Sequence, residues 1–81
     1  MDIASYAEVL VKSICKEADL IKVSQYASDE EGILVDILIP ESSMGSVIGK
    51  DGRNAKAIRT LLNAYAYIHK LGPIKVTIDA F

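Results

Sequence analysis

Along the first part of the chain the apolar residues Ile3, Ala7, Leu10, Ile14 and Ala18 recur at steps of three and four, which predicts an amphipathic helix from Asp2 to about Ala18. Val9 and Val11 widen its apolar face, and Glu8 and Lys12 form an i to i+4 pair on the polar side. The period then changes from three or four to two. In LIKVSQYAS, Ile21 and Val23 fall on one face and Lys22, Ser24 and Tyr26 on the other, the signature of a strand. DEEG, residues 29–32, is a polar turn, and ILVDILIP follows with Ile33, Val35, Ile37 and Ile39 on one face and Leu34, Asp36 and Leu38 on the other. So short a turn predicts an antiparallel hairpin. Pro40 ends the second strand because proline has no N–H for the ladder.

Met44, Val47 and Ile48 stand at helical spacing within Glu41 to Ile48 and predict a short helix, with Gly49 as a left-handed C-cap. A second helix is expected from about Gly52 to Lys70, buried along Ala55, Ile58, Leu61, Leu62, Tyr65 and Ile68. LGP at 71–73 stops it, and IKVTIDAF alternates as a last strand, Ile74, Val76 and Ile78 inward. A helical crossover between the second and third strands permits parallel pairing. The expected fold is therefore α+β, order α-β-β-α-α-β, a three-stranded mixed sheet with three helices on one face.

The chain has 81 residues, room for one domain, 1–81, around one core. It holds no apolar run long enough to span a bilayer, and Asp2 and Glu8 stand where a secretory signal would be basic and then apolar, so the expected location is cytoplasmic. Cys15 and His69 are each the single residue of their type, which leaves no metal site, no disulfide and no catalytic pair; the thiol is expected to be buried in the first helix's stripe. Without a nucleoside-triphosphate loop or a paired acid and base, no enzyme and no cofactor is expected. The net charge of -2 argues against bulk electrostatic coating of nucleic acid. Its distribution points elsewhere: residues 1–44 carry nine acids against three lysines, and residues 45–81 six cations against two aspartates.

That basic half contains SVIGKDGRNAKAIR, Ser46 to Arg59. Two helices joined by Gly49-Lys50-Asp51-Gly52 make a tight turn at which the longer helix offers free N–H groups and its positive dipole end, a natural place for phosphate. Glycine at 49 and 52 lets a sugar-phosphate chain approach the backbone and permits a positive φ. Lys50 projects from the turn, and Arg53, Lys56 and Arg59 follow with no acid after Asp51 until Asp79.

VIGKDGRNAKAIR resembles the Ile-Gly-x-x-Gly signature of KH domains, and the order of elements resembles their type II topology. The resemblance runs over the whole chain, which is similar in size and motif to the small bacterial KH proteins of the KhpA type. It implies binding of single-stranded RNA, with the backbone of about four nucleotides clamped by the glycine turn and the bases over an apolar groove. Gly49, Lys50, Asp51 and Gly52 would be the clamp, Ile48 and Ala55 the border of the groove floor, and Arg53, Lys56 and Arg59 the phosphate contacts. Many KH domains carry a bulky aliphatic residue where this chain has Ala55. By the same resemblance the chain would pair with itself or with a larger Jag-like KH protein, as an RNA chaperone or post-transcriptional regulator linked to cell shape and envelope synthesis. A KH fold kept for protein pairing, with incidental RNA binding, is the competing reading.

Asp51 would either repel phosphate or cap the long helix; the cap is the preferred reading, with modest, sequence-tolerant RNA binding as its consequence. Tyr67 lies on the polar side of that helix with Lys56, Asn63 and Lys70, where an exposed or interface role is expected before base stacking. Tyr26, Leu34, Leu38, Thr77 and Phe81 would give the uncovered face of the sheet more apolar surface than solvation requires, a candidate partner site.

Overall fold

A computed structural model describes residues 2–28 and 32–81. Helix α1 runs Ile3–Lys12, strand β1 Lys22–Ser28, strand β2 Gly32–Ile39, helix α2 Met44–Ile48, helix α3 Arg53–Ile68 and strand β3 Ile74–Ala80. Single 3-10 turns sit at Ala18–Leu20, Glu41–Ser43 and Lys50–Gly52. The expected order of elements holds, and only the turn at residues 29–31 falls outside the described residues.

The sheet has the order β1-β2-β3. Strands β1 and β2 pair antiparallel from Lys22↔Leu38 to Ser28↔Gly32, and β2 and β3 pair parallel from Ile33↔Ile74 to Ile39↔Ala80. Strict alternation in β2 puts Val35, Ile37 and Ile39 on the helix-covered face, where all three are fully buried. Backbone bonds from Phe81 N to Ile39 O at 3.0 Å and from Glu41 N to Phe81 O at 3.3 Å tie the ends of β2 and β3 together beyond the ladder.

Helix α1 begins where Asp2 caps it, its carboxylate accepting from the Ser5 N–H at 2.7 Å. That bond, with a further one from the Ser5 hydroxyl, holds the Asp2 carboxyl below the usual aspartate range. The helix ends earlier than its periodicity predicts. At Ser13 the hydroxyl donates to the Leu10 carbonyl at 2.6 Å and Ile14 N bonds back to Val11 O, so a local side-chain bond competes with the next helical turn. Ile14 and Ala18 therefore lie beyond the helix, and Cys15 is buried from the segment that follows it rather than from a helical stripe. Val11 is central to the buried face with Ile3 and Ala7, whereas Val9 is exposed.

Helix α3 lies beside α1, with the rings of Tyr6 and Tyr65 stacked at 5.1 Å and His69 tilted against Tyr65 at 4.1 Å. Its buried stripe is Ala55, Ile58, Leu62 and Ala66, flanked by half-buried Tyr65. The expected members Leu61 and Ile68 are out of it, at 42% and 71% exposure. Both residues sit a step to the side of the line through 55, 58, 62 and 66, and small Ala66 is the residue turned to the core in their place.

On the face of the sheet away from the helices, Tyr26 and Phe81 are exposed as expected, Leu34, Leu38 and Thr77 are half-buried, and the Thr77 hydroxyl donates to Asp36 at 2.9 Å.

Candidate nucleic-acid interface

The turn between α2 and α3 is built by two glycines that are needed for different reasons. Gly49 has φ 77° and ψ 173°, a positive φ as expected but with an extended ψ, a combination open essentially to glycine alone. A Cβ there would also stand 2.8 Å from Asn54 Cγ. Gly52 has φ 74° and ψ 15°, the left-handed helical region, and no heavy atom lies within 4 Å of where its Cβ would be. Gly49 is closed in by the fold, whereas Gly52 borders open space.

Asn54 explains the crowding at Gly49. Its amide donates to the Ser46 carbonyl at 2.8 Å, binding the start of α3 to α2 across the turn. Sequence reasoning passed over this residue, although a polar side chain two positions after the glycine pair, on a helix with free carbonyls just across the turn, is a recognisable signal.

The capping role expected of Asp51 is not realised. The N-cap of α3 is Gly52, no side chain caps the helix, and Asp51 precedes it with φ 57° and ψ 25°, left-handed itself. A capping oxygen is offered from the N-cap position, and Asp51 stands one residue too early for it. The amino end of α3 is thus free of any side-chain cap, at the positive end of a helix of 16 residues.

Around this opening Lys50, Asp51, Arg53, Lys56 and Arg59 are all exposed, Ile48 is half-buried, and Ala55 is buried at 4% exposure. The turn residues are thus followed directly along α3 by cations at steps of three, Arg53, Lys56 and Arg59, all open to solvent. Ala55 is turned inward and offers little surface of its own.

Past the first turns, α3 keeps two exposed flanks. At 100° per residue, Lys56, Arg59, Asn63 and Tyr67 fall within an arc of roughly 80°, and Lys70 follows in the turn just past the helix end. Ala57, Leu61, Ala64 and Ile68 fall within another of roughly 60° on the far side. All nine are exposed. An open groove of about 650 Å³ lies along the first flank, lined by Asn63, Ala66, Tyr67, Lys70 and Gly72. Among the described residues there is no cluster of side chains suited to a metal ion and no helix long and apolar enough to cross a membrane.

A mixed sheet in this order, with two helices hinged on a Gly-x-x-Gly turn between its parallel strands, defines a type II KH domain. The family model of the KhpA/KhpB KH domain matches residues 4–78, and the chain belongs to that family. Among curated relatives, the RNA-binding protein KhpA of Clostridium acetobutylicum is 41% identical over 59 residues, 73% of this chain and 77% of the relative. The protein of the same name from Thermotoga maritima is 39% identical over 70 residues, 85% of this chain and 91% of the relative. That from Borreliella burgdorferi is 39% identical over 59 residues, 73% and 71% of the two chains. No solved structure matches with comparable significance.

Proposed function

We propose that this chain binds single-stranded RNA by clamping its sugar-phosphate backbone on Gly49 to Gly52, as the name of its relatives and the form of the turn suggest. The observation that carries the reading is the amino end of α3, without a side-chain cap and beside open space over Gly52, with the exposed cations Lys50, Arg53, Lys56 and Arg59 in the turn and along the first two turns of the helix. The N–H groups of the first turn of α3 that remain unbonded, the helix dipole and these cations would together favour a phosphate at this opening. Asp51, free of any cap, is a negative charge at the same opening, so it lowers the affinity that the cations raise. Modest, sequence-tolerant binding follows, because the contacts are to backbone rather than to base edges.

By family resemblance we extend the reading to a cytoplasmic RNA chaperone or post-transcriptional regulator in cell-shape and envelope control, acting as a homodimer or with a Jag-like KH partner. One observation favours pairing: the apolar flank Ala57, Leu61, Ala64 and Ile68 repeats at steps of four, three and four and lies open on α3. The open sheet face is a poorer candidate, since Leu34 and Leu38 are separated by Asp36 and its bond to Thr77. If pairing were the chain's sole task, this flank would be the functional site and the turn incidental.

Fluorescence anisotropy of a labelled single-stranded RNA, titrated at several salt concentrations, separates the two. Lys50→Asp should weaken binding and make the logarithmic salt slope shallower by roughly 0.7 for each phosphate that is no longer neutralised. Asp51→Asn keeps a residue that tolerates the left-handed backbone and should tighten binding several-fold. Equal affinities for all three proteins would remove the turn from RNA binding.

A further inference from the structure

The clamp accounts for only the first part of the basic flank. Tyr67 is 87% exposed, and among the described residues its ring stacks on nothing and its hydroxyl bonds to nothing. A large aromatic ring held on a regular helix, in water and without a partner, costs apolar exposure that a polar residue would avoid. It lines the open groove of about 650 Å³. Ala66, buried and small, and Gly72, which has no side chain to obstruct entry, line it as well. Asn63 spends one amide N–H on the Arg59 carbonyl at 2.8 Å and keeps its oxygen and its other N–H. Lys70, with its backbone in the left-handed region at φ 55°, adds a cation to the lining. No acid lies between Asp51 and Asp79 to oppose an anionic chain along this path.

Resting on the RNA reading, we propose that this groove is a nucleobase subsite on the strand that the turn clamps: a base stacks on Tyr67, Asn63 hydrogen-bonds its edge, and Lys70 neutralises the adjoining phosphate. Helix rise places Tyr67 about 16 Å beyond Lys56, so the stacked nucleotide is one further along the strand than those held at the turn. The basic flank of α3 then acts as a track with two stations. Cations grip backbone at its start, and an aromatic platform takes a base at its end.

The test uses the whole chain and two labelled RNAs, one of about four nucleotides, the length a KH clamp spans, and one twice as long. Tyr67→Leu should weaken binding of the longer RNA by roughly 5- to 150-fold, the range for losing one stacked base, and leave the shorter one unchanged. Its salt slope should stay that of the wild type, because every phosphate partner is kept. Tyr67→Phe, which keeps the ring, should bind like the wild type. Wild-type affinity of Tyr67→Leu for the longer RNA, or an equal loss in Tyr67→Phe, would overturn the stacking subsite. Lys50→Asp, run beside them, separates the failures: if it still weakens both RNAs, the clamp stands without the subsite, and if the wild type binds neither RNA, both readings fall.

Discussion

The two exposed flanks of α3 share one helix and one set of backbone bonds, yet they differ in the chemistry that selects a partner. One carries Lys56, Arg59, Asn63, Tyr67 and Lys70 and continues from the glycine turn into a groove; the other carries Ala57, Leu61, Ala64 and Ile68 and no charge. Charge beside an open groove suits a flexible anion, whereas an exposed apolar strip gains by being covered. A single helix can thus serve nucleic acid on one side and protein on the other. The consequence is separability: a change on either flank should leave the other's ligand in place.

The largest effect should come from breaking the turn from which both flanks start. Gly49→Ala puts a Cβ against Asn54 in a backbone region reserved for glycine and should cost about 3 kcal/mol of stability. Gly52→Ala meets no atom and should cost only the left-handed penalty, roughly 1–2 kcal/mol. It should nevertheless impair RNA binding, because its methyl enters the space assigned to phosphate. Urea unfolding followed by RNA titration of both variants checks this. Equal stabilities, or normal RNA affinity in Gly52→Ala, would contradict the distinction between a glycine the fold needs and one the ligand needs.

A smaller and more selective effect is expected on the apolar flank. Leu61→Asp places a charge in the middle of the strip and should raise the dissociation constant of the proposed homodimer by about tenfold or more, the scale of a central interface residue. Leu61 is already 42% exposed, so the monomer should remain folded. Sedimentation velocity over a concentration series reads the shift, and the RNA salt slope should not change. Persistence of the dimer in Leu61→Asp and its loss in Leu38→Asp would move the pairing surface to the open face of the sheet.

The sequence made the strands and the turn easy to read and the helices harder, for physical reasons. A period of two admits one buried face, and Val35, Ile37 and Ile39 occupy it as the alternation requires. The glycine turn was legible because few conformations join two helices in so short a span. Helix α1 was overextended because the hydroxyl bond of Ser13 is a local choice that apolar periodicity does not register. Helix α3 carries apolar residues on two neighbouring arcs, so Leu61 and Ile68 could be read into the core stripe when Ala66 fills it. The role of Asp51 turned on a shift of one residue in the N-cap, which depends on Gly52 rather than Asp51 entering the helix. Asn54 was missed because its importance lies in a bond across the turn, to Ser46, and not in its place in a pattern.

The division of α3 is tested most directly by amide chemical-shift mapping of the isotopically labelled chain, titrated with an RNA long enough to reach Tyr67. The expected result is that Gly49 to Arg53, Lys56, Arg59, Asn63, Tyr67 and Lys70 shift progressively with RNA, while Ala57, Leu61, Ala64 and Ile68 keep their free-state positions and move only with protein concentration. Shifts centred on the apolar four, with the turn unmoved, would contradict the account and make protein pairing the task of this helix.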